Sequence, residues 1–160
     1  MAESAEALAR RIEEASAEIV AFAESCSDDD WRRRPEGDDW AVGIIAHHVA
    51  SGYDQEGRVA AAVRAVVRGE AMPAPPPRGY NDPAAERFSR FSREETIDLL
   101  RRNGATAAGL VRHLDDADLD RPFPTPPDRP PRTLGQVLEY LLSGHVREHL
   151  AAMREARASS

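Results

Sequence analysis

Apolar residues recur along this chain at the three-and-four spacing of helices, and no stretch shows the alternation of a strand bounded by a hairpin turn. Leu8, Ile12, Ala15, Ile19 and Phe22 place one apolar face on a first helix. A second helix is expected from about Asp39 to Arg68 on a framework of Val42, Ile45, Val49, Val59, Val63 and Val66. The third opens where Ser92 precedes Glu95 by three residues, the spacing of a capping box, and continues through Ile97, Leu100, Ala108, Val111 and Leu114, with Gly104 weakening its middle. Thr133 and Gln136 repeat that spacing before a fourth helix carrying Leu134, Val137, Leu138, Leu141, Val146, Leu150 and Met153.

Proline sets the breaks. Of the 12 prolines, Pro73, Pro75, Pro76, Pro77 and Pro83 fall in one stretch, and Pro122, Pro124, Pro126, Pro127, Pro130 and Pro131 in another. Both interrupt helix and strand ladders and read as loops, either shaping a pocket mouth or serving as crossovers; Pro35 with Gly37 marks a shorter break. The pattern predicts an all-α fold, a four-helix bundle with two Pro-rich connecting loops, and shows no internal repeat.

Composition narrows the function classes. A chain of 160 residues with 41% apolar and 31% charged positions suits one core, so a single domain over residues 1–160 is expected, large enough to fold without a disulfide or structural metal. Its cations are all Arg, 21 against 28 acidic residues, for a net charge of −7, which disfavours a nucleic-acid backbone as partner. The single cysteine, Cys26, allows no internal disulfide and suits a small apolar packing role. The N-terminus carries no signal-peptide pattern, and no apolar run nears the ~20 residues that span a bilayer, so a cytoplasmic protein with no membrane partner is the expectation.

The candidate chemistry lies in the histidines: His47, His48, His113, His145 and His149. His145 and His149, in H-V-R-E-H, project one turn apart from one helical face, a spacing that suits two imidazoles converging on one ion. Alone, the pair is a weak signal, for which partly exposed or hydrogen-bonded histidines near a helix end are the commoner reading, and without the Glu of H-E-x-x-H a zincin-type protease reading fails. His47 and His48 stand about 100° apart on the helical wheel, so both cannot face one site. His48 shares a face with Ala41, Ile44, Ile45 and Gly52 and is expected to look inward, with His47 turned to a neighbouring helix or solvent. His48, His145 and His149 would supply half a shell for Zn²⁺, Ni²⁺ or Fe²⁺ and leave open positions; the bland alternative is a set of satisfied histidines in a helix seam.

Other residues carry weaker signals. His113 reads as a surface residue near a helix C-terminus, and Arg32, Arg33 and Arg34 as a solvated cluster beside Asp28, Asp29 and Asp30. Asp54, Glu56 and Glu148 lie near the histidines in sequence and are candidate bases, but Glu148 is rotated off the ligand face, and each reads better as a solvated charge. No catalytic residue is identified.

The segment W-A-V-G-I-I-A-H-H-V-A, Trp40 to Ala50, resembles the start of the second helix in the DinB-like superfamily, where a Trp precedes a metal-binding His by eight positions; that position here is His48. T-L-G-Q-V-L-E-Y-L-L-S-G-H-V-R-E-H-L resembles the family's last core helix, whose two ligands match His145 and His149, and R-G-E-A-M-P and L-D-D-A-D-L-D-R-P are similar to family segments. The resemblance implies a four-helix bundle, often a homodimer, with a divalent metal at one end. It extends to mycothiol-dependent maleylpyruvate isomerases, thiol S-transferases and hydrolase-like proteins. Two functions follow as expectations. One is an enzyme acting on a small-molecule substrate by activating a low-molecular-weight thiol such as mycothiol, or water, at the three-His site; the other is a non-catalytic binding or stress-response protein with a structural or vestigial metal site.

Overall fold

Ser4 begins the first helix: its side chain accepts the Ala7 N–H at 3.1 Å, and α1 then runs Ala5–Ser25 with Leu8, Ile12, Ile19 and Phe22 buried along one face. The computed structural model describes residues 4–53, 57–75 and 84–159. After α1 come α2 (Asp28–Arg32), α3 (Val42–Gly52), α4 (Arg58–Arg68), α5 (Ala84–Phe88), α6 (Arg93–Arg112) and α7 (Asp116–Leu119). The chain closes with a two-strand pair, β1 (Pro122–Phe123) and β2 (Arg132–Thr133), and then α8 (Leu134–Glu139), a π-helical turn (Tyr140–Gly144) and α9 (His145–Ala158). The architecture is an all-α helical bundle.

The two capping boxes read from the sequence are formed. Ser92 and Glu95 exchange side chain-to-backbone bonds of 3.1 and 2.7 Å, and Thr133 and Gln136 do so at 3.3 and 3.0 Å. A third, between Ser27 and Asp30, starts α2.

Three expectations are corrected. The second helix is two: α3 ends at Gly52, and α4 starts after Gly57, whose φ of 78° is left-handed and suits a residue without a Cβ. Short helices α2, α5 and α7 occupy the connections, so a simple four-helix bundle is too coarse a description. A small antiparallel pairing also exists, Pro122 opposite Thr133 and Phe123 opposite Arg132. With the Leu134 N–H bonded to the Arg121 carbonyl at 2.9 Å, it returns the second Pro-rich loop to its starting point, so that loop is a closed excursion and no crossover. Part of the first Pro-rich stretch, including Pro76, Pro77 and Pro83, lies outside the described residues.

Close packing of α1 on α6 forms the bundle's spine. A Cβ at Gly104 would lie 2.1 Å from the Ser16 Oγ, so glycine there permits a helix approach that alanine would block. Across the same seam Arg112 binds Glu6 at 2.8 Å and Glu13 at 3.0 Å, and Arg101 pairs with Glu24. The buried apolar residues of α1, α3, α6, α8 and α9 form one contiguous cluster. No helix among the described residues is long and apolar enough to cross a membrane.

Candidate metal centre

Each arm of the site is placed by local bonding. Asp38 accepts the Trp40 N–H at 2.8 Å, and the Val42 N–H bonds the Arg33 carbonyl at 2.8 Å, so the turn leading into α3 is fixed before the helix starts. From that start, Val42, Ile45, Ala46, Val49 and Ala50 face the core, and His48 lies half-buried at the edge facing α9. Trp40 forms one wall, its ring centroid 5.1 Å from that of His48. This contact is a physical reason for the Trp-to-His spacing noted in the sequence.

On the other side, His145 opens α9. Its N–H bonds the Tyr140 carbonyl five residues back, closing the π turn. α9 is held on α1 by Arg147, which reaches Glu18 at 3.3 Å and Ser143 at 3.1 Å. The expected inward position of Leu141 is corrected: it is 37% exposed, while Leu138, Leu142, Val146, Leu150 and Met153 are buried.

The three predicted rings meet. His48 lies 5.2 Å from His149 and 6.1 Å from His145, centroid to centroid, both edge-on, and His145 and His149 lie 4.3 Å apart. One nitrogen from each ring falls within 4.8 Å of the other two, a cluster able to coordinate a metal ion. The Nε2 atoms of His145 and His149 are 3.1 Å apart. Two nitrogens each about 2.0–2.1 Å from a zinc-sized ion would be separated by roughly 3 Å, so this pair already has the spacing of adjacent ligands.

Electrostatics favour the ligand form. Burial, then the neighbouring His149 and His145, pull the His48 pKa down to about 4. Burial and His145 also lower that of His149, with Asp38 and Glu148 opposing. Both shifts favour the neutral imidazole, the form that can offer a lone pair to a cation. His145 differs: its side chain is 37% exposed, so the cluster opens to solvent on that side.

Two further side chains stand against the cluster. The Glu148 carboxylate approaches the His145 Nδ1 to 3.4 Å from behind, off the ligand face as expected but against the ring, where it favours the tautomer that frees Nε2. Tyr140 stands 5.8 Å from His145, ring to ring, and no spacing argument had pointed to it. The i, i+3 relation of His145 and Glu148 was a usable signal for the first.

The remaining candidates fall away from the cluster. His47 is 3% exposed, bonded to the Thr96 hydroxyl at 3.1 Å and stacked on Phe91 at 4.1 Å, so it turns to α6 and is the more buried of the adjacent pair. His113 caps α6 with its Nδ1 2.6 Å from the Gly109 carbonyl. Cys26 is buried, and Arg32 pairs with Asp29 at 3.3 Å on the surface. Asp54 and Glu56 lie outside the described residues.

A helical bundle with three histidines at one seam defines a class of metal-binding helical proteins. The family profile described as the DinB superfamily matches residues 11–153, and the chain belongs to that superfamily. Searches of curated proteins and of solved structures gave no significant match.

Proposed function

We propose that this chain is a metal-dependent enzyme in which His48, His145 and His149 hold one divalent ion, Zn²⁺, Ni²⁺ or Fe²⁺, for chemistry on a small-molecule substrate. The observation that carries this reading is the approach of three imidazole nitrogens, from two different helices, to within 4.8 Å. Such an ion, when bound, supplies Lewis acidity that brings the pKa of a thiol or of water toward neutrality. The reaction classes that suit it are S-transfer from a low-molecular-weight thiol such as mycothiol and hydrolysis.

The surrounding residues divide the work. His48, half-buried beside Trp40, anchors the inner side. His145 leaves the outer side accessible, and Glu148 holds its Nδ1 proton. The contiguous apolar core supports reading residues 1–160 as one domain, and a core of that extent needs no ion to fold, which favours chemistry over a structural metal. A cytoplasmic homodimer completes the proposal.

Metal analysis of purified, reconstituted protein tests it. Wild type is expected to hold about one ion per chain and His145→Ala less than about a tenth of that, since two remaining imidazoles make an incomplete shell. Thiol titration and electrophile or ester turnover on the same samples separate the reaction classes. Metal bound without thiol affinity or turnover favours the non-catalytic binding protein; wild type that takes up no ion ends both readings.

A further inference from the structure

Beside the histidine cluster, the closed second Pro-rich loop roofs a solvent-open cavity of about 340 Å³. Phe123, Val137 and Leu141 give it apolar walls, Arg129 and Arg132 line its polar side, and Tyr140 completes it. Tyr140 and Leu141 are among the exposed large apolar side chains, at 43% and 37%. The Tyr140 ring is also the one that stands 5.8 Å from His145, so it forms a wall shared between cavity and cluster.

Several arginines of this acidic chain are held by carboxylates. Arg93, Arg101, Arg112 and Arg147 each reach two carboxylates. Arg129 and Arg132 have no carboxylate partner among the described residues, and the Arg132 guanidinium instead lies over the Tyr140 ring, 5.5 Å from its centroid. A chain with net charge −7 repels anions at long range, so an anion site here needs local cations freed from acidic neighbours. A guanidinium steadied on an aromatic face, with its edge free, suits bidentate capture of a carboxylate.

We propose that this cavity binds a small organic carboxylate with an apolar body, the carboxylate on Arg132 and Arg129 and the body against Phe123, Leu141 and Tyr140, its far end directed past Tyr140 toward the histidines. The proposal deepens the metal-enzyme reading by naming a substrate class. It rests on that reading for where reaction occurs, whereas the carboxylate site itself is open to test without metal.

Benzoate is the probe, with neutral benzamide as control, titrated into zinc-loaded and chelator-stripped protein and followed by backbone amide shifts. Benzoate is expected to move the Arg132, Tyr140 and Leu141 amides in both forms, and benzamide to bind about tenfold more weakly. Arg132→Gln and Arg129→Gln, both exposed, should each weaken benzoate several-fold with far-UV circular dichroism and zinc content unchanged. Benzoate binding that requires zinc and ignores both substitutions would place the carboxylate on the metal and overturn the proposal. So would equal benzamide binding or no response. Zinc content measured on the same samples keeps failure of the metal site distinct from failure of this one.

Discussion

At the scale of single residues, adjacent histidines in one helix have opposite assignments. His47 is sealed among Thr96, Phe88 and Phe91, and His48 faces the cluster. Truncating His47 removes a buried hydrogen bond and ring packing, so His47→Ala is expected to destabilise the fold by about 2–3 kcal/mol in urea titration while metal content per folded chain stays at the wild-type value. His48→Ala should do the reverse. Equal metal loss in both variants would remove the distinction. Cys26 permits a pH test of burial: loss of solvent, the largest influence, raises its thiol pKa above the ordinary value, with Arg157 opposing. A raised pKa keeps the unreactive thiol form to higher pH, so native labelling by iodoacetamide at pH 9 should run on the order of a hundredfold slower than in urea. Rapid native labelling at that pH would show the site to be open.

At the scale of elements, the π turn is a matter of residue count. Leu134, Leu138, Leu142, Val146, Leu150 and Met153 are all buried on one face. Three successive spacings of four after Leu138 outrun an α-helix, which needs about 3.6 residues per turn, and over five turns the excess amounts to roughly one residue. The wide turn at Tyr140–Gly144 absorbs that residue and lets α8 and α9 present the same face. Deleting Leu141 should therefore leave a continuous α-helix with His145 and His149 still facing His48, and metal content retained. Inserting one alanine after Leu141 should rotate α9 by about 100° and abolish it. Metal loss in the deletion with retention in the insertion would contradict this account of the turn.

The same element shows what was legible and what was not. Capping boxes at Ser92 and Thr133 marked two helix starts because their chemistry is local. The period of α1 and α6 and the pairing of His145 with His149 were readable for the same reason. The split of α3 from α4 is signalled by the nine residues between Val49 and Val59, with Gly52 and Gly57 among them, a signal outweighed by the valine framework. The spacings that betray the π turn are likewise present in the sequence. Gly104 was read as a weakness because its partner, Ser16, is distant in sequence, and only the packed bundle shows why a Cβ is excluded. Meeting of His48 with the other two histidines was suggested by its inward face and independently by the family resemblance, since no periodicity within α3 or α9 can say which helices are neighbours.

For the whole molecule, the cluster joins α3 to α9 and so would close a loop of about a hundred residues once an ion is bound. An ion that binds the folded chain and not the unfolded one raises the melting temperature with its free concentration. Wild type should show a rise of several degrees across zinc titration, and His145→Ala none; matching shifts would mean that zinc acts elsewhere. Order of synthesis adds a consequence. A growing polypeptide presents His48 long before His145 and His149, so its early helices can pack on one another while only one of the three imidazoles yet exists. Loading is then among the last events of maturation, and a product halted before position 149 has no complete ligand set with which to retain its ion.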